Sequence, residues 1–428
     1  MAADCHTYVD LSTLRGNDLR TDLAARDFTF NAMALRLADV SQQQVIDLFG
    51  GRDDLRRRRV CAVSDHALSD DPARLVRAVR FSAELGFEID KHTAALAQRS
   101  APLLAGVAAE RVRDEFARIL HAPGAWRNLH LLDDLGLLCV ILPELNAMKG
   151  VAQSQHYYDV FTHTLAVADA VEETLIACGV AQVDKRPAGP PHPPLPVAVL
   201  GPVATDVRLH LAEVVSADRT RLVALKLGAL LHDVAKPRTR TMEGEETHFY
   251  NHPVEGVAMA EEAMRRLRFS VNEIRIVSTM VLNHMRPAQV AADPQSTKKA
   301  VYRYFRDTGP EGVDTLLLSL ADHIGTRGPT LNPSAWWQHA QFTRLMLEYY
   351  YAPASGPLVQ PKLITGKDVM RICGLPAGPQ VGDLLAEVQE AQALGEVTTR
   401  SEALQFVVER WEQWSATQGG ISGPAGEA

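Results

Sequence analysis

The sequence predicts a mainly α protein with a small β-containing piece at its N-terminal end. Apolar residues recur at helical spacing in three long blocks, at about 71–145, 160–330 and 360–414. Strand-like patterns occur only near 7–11 and at the start of 45–55. With 428 residues, of which 46% are hydrophobic, the chain is long enough for two to four domains with sizeable cores.

Composition excludes several classes of protein. The chain has no run of about 18 apolar residues, so we expect no membrane span. The start MAADCHTYVDLS lacks the charged-then-apolar pattern of a signal peptide. The five cysteines are scattered without a CxxC pair, which argues against a disulfide scaffold and predicts a cytoplasmic protein. A net charge of −8 means that an RNA partner would need local basic patches.

The N-terminal piece combines strand and helix patterns. TYVDL (7–11) alternates like a short strand, and VIDLFGGRDDL (45–55) predicts a strand, a Gly-Gly turn and the start of a helix. Between them, 22–37 has helical periodicity. The apolar residues of its predicted face are Phe28, Ala32 and Leu35. A lone strand or hairpin is marginally stable, so this piece needs partners.

Asp27 and Asn31 are the first candidate site residues, in the run RDFTFNAMA (26–34). They lie four residues apart and would share one face of the predicted helix. The alternative interpretation is that Asp27 favours a helix N-terminus and that Asn31 lies on the surface.

Asp71 precedes a proline in the run SDDPARLVRAVRF (69–81), as a cap before the first helical position does. Arg74, Arg77 and Arg80 then recur every three residues and form a basic ridge. One interpretation is a capped helix with a solvated arginine face. The other is that Asp71 and Arg74 form a fork of acceptors and donors that pairs with the edge of a base.

Histidines and acids follow in an order typical of metal ligands. They lie in the runs HYYDVFTHTLAVADAV (156–171), LGALLHDVAKP (227–237), THFYNHPVEGV (247–257), VLNHMRP (281–287) and SLADHIGT (319–326). The candidate ligands are His163, His232, Asp233, His252, His284 and Asp322. His156 receives no role from this pattern.

The apolar neighbours of His232 and Asp233 favour a metal over a plain core position. A buried imidazole beside a buried carboxylate is costly unless each has a partner, and a metal ion would satisfy both. Any one of these histidines alone is more often a core or surface residue, but the joint order changes that balance. Imidazole and carboxylate ligands suit Mn²⁺, Fe²⁺, Mg²⁺ or Zn²⁺.

Four runs together resemble the bacterial class II tRNA nucleotidyltransferase/poly(A) polymerase family, in the family's order and spacing. They are DLAARDFTFNAMA (22–34), VIDLFGGRDDL (45–55), DDPARLVRAVRFSAELGF (70–87) and AERVRDEFARIL (109–120). The resemblance implies that this chain binds CTP or ATP and the 3′ end of tRNA or another RNA. It also implies that the last run braces the neck helices around the nucleotide.

The resemblance also assigns nucleotide-binding residues. Arg26, Asp27 and Asn31 would serve the ribose and phosphates, and Asp71 and Arg74 would pair with the base. Arg77, on the same ridge, joins this set. Two positions depart from the family's pattern, since Ala25 replaces an arginine and Asp70 replaces a glutamate.

The carboxylates of the polymerase site are the largest departure. Enzymes of this family hold Mg²⁺ on a strand that carries Asp-x-Asp, after a Gly-rich loop. Neither pattern occurs before Asp22. Asp10 would be the family's third strand carboxylate, or else a plain edge-strand residue. We therefore expect an N-terminally truncated member that does not transfer nucleotides by itself, because its start is misplaced or trimmed or because the activity is lost.

The histidine pattern resembles the HD phosphohydrolase superfamily, whose minimum ligands are His, His-Asp and Asp. These correspond to His163, His232, Asp233 and Asp322. The further residues His252 and His284 resemble those of HD proteins with an enlarged or two-metal site. The implied chemistry is a metal-activated water that attacks a phosphoester. Lys236 would contact the phosphate, or would equally be a cation at a helix C-terminus.

The combined resemblance predicts a remnant of an α/β nucleotidyltransferase palm followed by a helical neck, a helical HD domain and a helical tail. The predicted bounds are 1–51 for the end of the palm, 52–150 for the neck, 151–330 for the HD domain and 331–428 for the tail. A Pro-rich insert at 185–203 should form an exposed extended loop.

Three functions remain open. The first is nucleotidyl transfer to an RNA 3′ end, adding CCA to tRNA or A to RNA tails. The second is metal-dependent phosphohydrolysis of nucleotides or RNA phosphates by the HD domain. The third is non-catalytic RNA binding, to which the basic run DLRRRRV (54–60) would contribute, although a solvated charge run is the alternative.

Overall fold

The computed structural model describes most of the chain. The described residues are 13–36, 44–154, 156–181, 189–292, 298–352 and 361–418. Helices dominate these ranges and the strands are short, which confirms the predicted mainly α fold class. The strand predicted at 7–11, with Asp10, lies outside the described residues. No helix within the described ranges has the length and apolar character that crossing a bilayer requires.

The N-terminal part contains two short helices and a two-stranded antiparallel sheet. Its elements are α1 (Leu19–Ala24), β1 (Met33–Leu35), β2 (Val45–Asp47) and α2 (Gly51–Arg57). In the sheet, Ala34 lies opposite Ile46. The predicted order of strand, Gly-Gly turn and helix over 45–55 is confirmed.

The helix predicted over 22–37 is wrong. The chain leaves α1 after Ala24, is extended at Phe28, and forms a 3-10 turn at Thr29–Asn31 before β1 begins. Phe28 and Phe30 are both buried, and both rings pack on Phe81, at centroid distances of 5.6 and 5.3 Å. In an α-helix, side chains two residues apart point to nearly opposite faces, so both rings could not pack on Phe81. Burial of both rings therefore favours the observed non-helical backbone over the helix that the apolar spacing predicts.

Gly51 fixes the turn before α2 against this extended segment. A Cβ atom at Gly51 would collide with the carbonyl oxygen of Thr29, so only glycine fits. The Asp47 carboxylate accepts the backbone N–H groups of Gly51 and Arg52, each at 2.9 Å. The turn thereby holds the segment that carries Asp27 and Asn31.

The neck is a set of helices with one short parallel strand pair. Its elements are β3 (Arg59–Val60), α3 (Ala67–Asp70), α4 (Ala73–Leu85), β4 (Glu88–Ile89), α5 (Lys91–Ser100), α6 (Ala109–His121), α7 (Ala125–Asp134) and α8 (Leu138–Ile141). Asp71 lies two residues before α4, which begins at Ala73 after Pro72, and its Oδ1 accepts the N–H of Ala73 at 3.3 Å. The predicted helix after Asp71 is present, but its N-cap is Pro72 rather than Asp71, and Pro72 therefore precedes the first helical position.

The block that carries the histidines is helical but includes two β-hairpins. Its elements are α9 (Val160–Ala177), α10 (Ala204–Ala212), β5 (Val214–Ser216), β6 (Arg219–Thr220), α11 (Arg221–Leu231), β7 (Arg240–Glu243), β8 (Glu246–Phe249), α12 (His252–Arg266), α13 (Val271–Asn283), α14 (Arg286–Ala292), α15 (Lys298–Thr308) and α16 (Glu311–Arg327). The hairpins correct the prediction of an all-helical block over 160–330. Every residue of β7 is exposed, so no apolar alternation marks it in the sequence.

The Pro-rich insert forms no α-helix or strand over its described residues 189–200, as predicted, and then makes a 3-10 turn at Gly201–Val203. It is not exposed throughout, because Val199 and Leu200 are buried in the main core. The residues 182–188 lie outside the described part of the chain.

The C-terminal helices divide between two cores. They are α17 (Pro333–Tyr350), α18 (Gly366–Cys373), α19 (Pro379–Leu394) and α20 (Arg400–Gln418). Trp336 and Leu347 of α17 are buried in the main core, whereas α18, α19 and α20 form a separate small cluster that includes Val369 and Val388.

A single hydrophobic core runs from the neck through the histidine-bearing block. A buried ion pair crosses it, since Lys226 Nζ lies 2.6 Å from Glu172 Oε1 and donates to the carbonyl of Ala122 at 3.2 Å. Glu172 also accepts the backbone N–H groups of Gly124 and Ala125, at 2.9 and 3.2 Å. These contacts tie the loop between α6 and α7 to α9 and α11. The domain boundary at 150/151 stays a prediction.

Replacing Lys226 should destabilise the whole body. In Lys226→Met, Glu172 stays buried without its counter-charge, and we expect the free energy of unfolding to fall by about 3 kcal/mol in urea denaturation. The control is Lys91→Met, at an exposed position of α5, which should change it by less than about 0.5 kcal/mol. Equal effects of the two substitutions would contradict the role of the pair.

Candidate nucleotide pocket and metal centre

The predicted nucleotide-binding residues come together where the N-terminal part meets α4. Asp27 is the centre of this group. Asn31 Nδ2 donates to Asp27 Oδ1 at 3.1 Å, and Arg77 Nη1 lies 3.3 Å from Asp27 Oδ2. The four-residue spacing of Asp27 and Asn31 thus produces contact, although through a 3-10 turn rather than the expected α-helix.

Arg74 is buried and faces the backbone of the N-terminal segment. Its Nη1 donates to the carbonyls of Arg26 and Ala67, at 3.2 and 2.9 Å, and its Nη2 donates to the carbonyl of Ala25 at 2.8 Å. Its Nε lies 3.8 Å from Asp71 Oδ2. A guanidinium has five N–H groups, so Nε–H, on the side of Asp71, and one N–H of Nη2 remain without these carbonyl partners.

The side chains of Arg26, Asp71 and Arg77 stay partly exposed, at 46%, 28% and 32%. Arg26 pairs with Asp22 at 2.9 Å, within α1 and the residues that follow it. Charged groups of both signs are therefore presented to solvent at this junction.

Helix α6 supplies two charged residues, Arg111 and Glu115, to which the sequence motifs assign no individual role. Arg111 Nη2 lies 2.8 Å from Asp71 Oδ2, and this hydrogen bond lowers the pKa of Asp71. Glu115 accepts from Arg77 Nε at 2.8 Å and pairs with Arg80 Nε at 2.5 Å. Arg111 and Glu115 are four residues apart on one helical face, which is the signal that would have identified them.

The predicted metal ligands converge from five helices, α9, α11, α12, α13 and α16. They form two groups whose ligand atoms lie within 4.8 Å of one another, namely His163, His232 and Asp322 in one and Asp233, His252 and His284 in the other. The residues predicted from their order in the sequence are thus brought together without exception.

Asp233 joins the two groups. Its Oδ2 lies 3.3 Å from His163 Nε2 and 3.1 Å from His232 Nε2. Its Oδ1 lies 3.3 Å from His252 Nε2 and 3.8 Å from His284 Nε2. One carboxylate therefore faces both groups, one oxygen to each.

Backbone carbonyls orient three of the imidazoles. Nδ1 of His232, His252 and His284 lies 2.9, 2.7 and 2.8 Å from the carbonyl oxygen of the residue three positions earlier. A carbonyl only accepts, so each Nδ1 carries the proton and each Nε2 presents a lone pair to the centre. Metal-binding histidines have this arrangement.

The donor set fits a divalent metal. Burial, reinforced by the neighbouring His232, lowers the pKa of His284 to about 3, so that imidazole is neutral. Burial raises the pKa of Asp233, but the neighbouring His232 and Lys236 outweigh it and hold that pKa well below its usual range. Oδ1 of Asp233 is buried without a hydrogen-bond donor among the described residues. A cation would satisfy that oxygen.

Lys236 lies inside this centre. Its Nζ lies 2.6 Å from Asp233 Oδ2 and donates to Gln153 Oε1 at 2.6 Å. Helix α11 ends at Leu231, before Lys236, and the ammonium is buried. The geometry therefore differs from that of a solvated cation at a helix C-terminus. Gln153 is a contact that the sequence did not indicate.

Three family models match the chain. Residues 3–61 match the poly A polymerase head domain, residues 86–149 match the probable RNA and SrmB-binding site of polymerase A, and residues 203–326 match the HD domain. The last range includes the candidate ligands from His232 to Asp322 and begins after His163.

Curated relatives extend the similarity over most of the chain. An A-adding tRNA nucleotidyltransferase of Deinococcus radiodurans is 34% identical over 404 residues, which cover 92% of this chain and 80% of that protein. A CC-adding tRNA nucleotidyltransferase of Thermus thermophilus is 31% identical over 408 residues, which cover 94% of this chain and 79% of that protein.

Solved structures share the fold. The Bacillus stearothermophilus CCA-adding enzyme in complex with CTP has a TM-score of 0.54 at 23% identity, over 94% of this chain and 77% of that one. The Thermotoga maritima CCA-adding enzyme complexed with tRNA also has a TM-score of 0.54, at 18% identity, over 92% of this chain and 74% of that one.

Proposed function

The chain belongs to the tRNA nucleotidyltransferase/poly(A) polymerase family, and from this premise we propose that it acts in CTP- or ATP-dependent nucleotidyl transfer to the 3′ end of tRNA or another RNA. The convergence of Asp27, Asn31, Asp71 and Arg77 at one junction is the observation that carries the proposal. Four cysteines among the described residues are free, which supports a cytoplasmic location.

In this proposal the basic and acidic residues of the pocket bind different parts of the nucleotide. Arg26 and Arg77 pair with the phosphates of the incoming nucleotide, and Asp27 and Asn31 bind the ribose. Asp71 accepts from the base, while the free N–H groups of Arg74 donate to it. Mg²⁺ would neutralise charge on the triphosphate, with Asp10, outside the described residues, as the candidate carboxylate.

A second activity, metal-dependent phosphohydrolysis, is favoured by the oriented imidazoles and by the unsatisfied Oδ1 of Asp233. We assign His163, His232, Asp233 and Asp322, with the added His252 and His284, as ligands of Mn²⁺, Fe²⁺, Mg²⁺ or Zn²⁺. When bound, such a metal polarises a phosphoester and activates water. The Lys236 ammonium then holds charge beside Asp233, within reach of a substrate phosphate. Non-catalytic RNA binding is the alternative to both activities.

Asp71→Asn should weaken CTP and ATP binding by about tenfold, because the base and Arg111 both lose a charged acceptor. Equilibrium dialysis with labelled nucleotide measures this, and binding tests the pocket independently of the Asp-x-Asp carboxylates on which transfer depends. Asp65→Asn is the control, since Asp65 is 70% exposed in the neck and pairs with His92. Incorporation of CMP or AMP into tRNA that lacks its 3′ end tests transfer directly. A wild-type chain that bound neither nucleotide would overturn the proposal.

His232→Ala should remove at least about nine-tenths of the bound Mn²⁺, measured by elemental analysis after dialysis, because one lone pair of the first group is lost. Cleavage of bis(p-nitrophenyl) phosphate should fall with it. His92→Ala, at a side chain that is 64% exposed, should change neither quantity. Wild-type cleavage by His232→Ala would sink the phosphohydrolase assignment, and a metal-free, inactive wild-type chain would leave RNA binding as the function of this block.

A further inference from the structure

A cavity of about 440 Å³ opens beside the metal centre. Its described lining residues are Ser154, His156, Tyr157, Thr326, Arg327 and Thr330. It lies between the segment before α9 and the end of α16, and these two helices carry His163 and Asp322. The cavity volume is in the range of small-molecule sites.

The metal centre is open on the side of this cavity. The side chains of His163 and Asp233 are 0% and 1% exposed, whereas that of Asp322 is 30% exposed. Thr326, which lines the cavity, donates its hydroxyl to Asp322 Oδ1 at 3.2 Å. The ring centroid of His156, on the opposite wall, lies 4.9 Å from that of His163. Two residues that line the cavity, Thr326 and His156, therefore contact two of the candidate metal ligands.

The cavity favours an anion. Its described lining includes no carboxylate, and it includes one guanidinium and several hydroxyl groups. Arg327 is exposed and has no carboxylate partner among the described residues. Two other exposed arginines of this block are paired, since Arg238 lies 3.4 Å from Glu255 and Arg265 lies 2.6 Å from Glu261. An unpaired guanidinium beside a metal-ligand cluster suits a phosphate group.

An exposed aromatic ring lies at the same opening. Tyr157 is 56% exposed, although its backbone is fixed by the hydrogen bond from its N–H to the carbonyl of Thr326 at 2.9 Å. The ring of Tyr158 packs edge-on against it at 4.8 Å. Exposed aromatic rings beside arginine are surfaces on which nucleic-acid bases stack.

We propose that Tyr157 and Arg327 form the nucleotide-binding mouth of the HD centre, in which Arg327 pairs with the phosphate that reaches the metal ligands and Tyr157 stacks on the attached base. This inference rests on the proposed metal binding by the HD cluster. It narrows the substrate class to a nucleotide, free or at the end of an RNA, rather than any small phosphoester.

The test is the affinity of the full chain for the phosphonate analogue of adenosine 3′-monophosphate, in which CH₂ replaces the ester oxygen and prevents hydrolysis. Isothermal titration is performed with and without Mn²⁺, in an Asp71→Asn background that weakens the neck pocket. Arg327→Gln should lower the affinity about tenfold and Arg327→Lys less, because lysine keeps the charge but not the fork. Tyr157→Ala should lower it about tenfold, whereas Tyr157→Phe should not, because stacking needs only the ring.

The controls separate this inference from the function on which it rests. Inorganic phosphate, which has no base, should lose affinity in Arg327→Gln and not in Tyr157→Ala. Arg265→Gln, at an exposed and paired arginine, should match the parent chain. A parent chain that bound no Mn²⁺ would overturn the proposed HD function. The affinities of the Arg327 and Tyr157 variants without Mn²⁺ would still show whether these two residues bind the nucleotide. Unchanged affinity in both Arg327→Gln and Tyr157→Ala would overturn this inference.

Discussion

The buried carboxylate of Asp233 is the group on which the HD block depends. A lone charge at that depth would be strongly destabilising, so its neighbours must supply compensating groups. Lys236 does so at Oδ2, from 2.6 Å, and the proposed cation would do so at Oδ1. His232 and His284 follow the last residues of α11 and α13, and His252 begins α12. Packing these helices and assembling the centre are therefore one process.

Helix α6 connects the candidate nucleotide pocket to the block that carries the candidate metal centre. Arg111 and Glu115 face the nucleotide pocket. The adjacent Asp114 lies 3.3 Å from Arg219 of β6, and Arg113 donates to the carbonyl of Arg268, after α12. Together with the continuous core and the Lys226–Glu172 pair, this helix makes the neck and the HD block a single packed body. Substitutions at its faces will be felt at both sites.

The sequence predicted which histidines and acids come together, because their immediate neighbours indicate burial. Apolar residues on both sides of His232 and Asp233 indicate that an imidazole and a carboxylate are buried next to each other. Sequence spacing could not predict that each oxygen of Asp233 faces a different group of candidate ligands, since this depends on how α12 and α13 pack. Nor could it find His156, which reaches His163 only because the chain before α9 folds back.

The helix predicted over 22–37 failed for a reason that is visible afterwards. Phe28, Ala32 and Leu35 fit a helical period, but Phe30 does not, and its burial beside Phe28 requires the chain to leave the α-helix. The helical prediction relied on the spacing of apolar residues and did not account for one large apolar side chain, Phe30, outside that spacing. The hairpin of β7 and β8 was missed for the opposite reason, because its exposed side chains carry no pattern.

The contacts of Arg74 change how the fork of Asp71 and Arg74 would work. Three N–H groups of Arg74 bind carbonyls, two of them from Ala25 and Arg26, so Arg74 and the segment that precedes Asp27 are held together. Of the two N–H groups that remain, Nε–H lies next to Asp71. In the proposed pocket, a base would therefore meet donors from Arg74 and an acceptor from Asp71 on one edge. Ala25 contributes to this lock through its carbonyl, which any residue supplies, so its departure from the family's arginine leaves the lock intact.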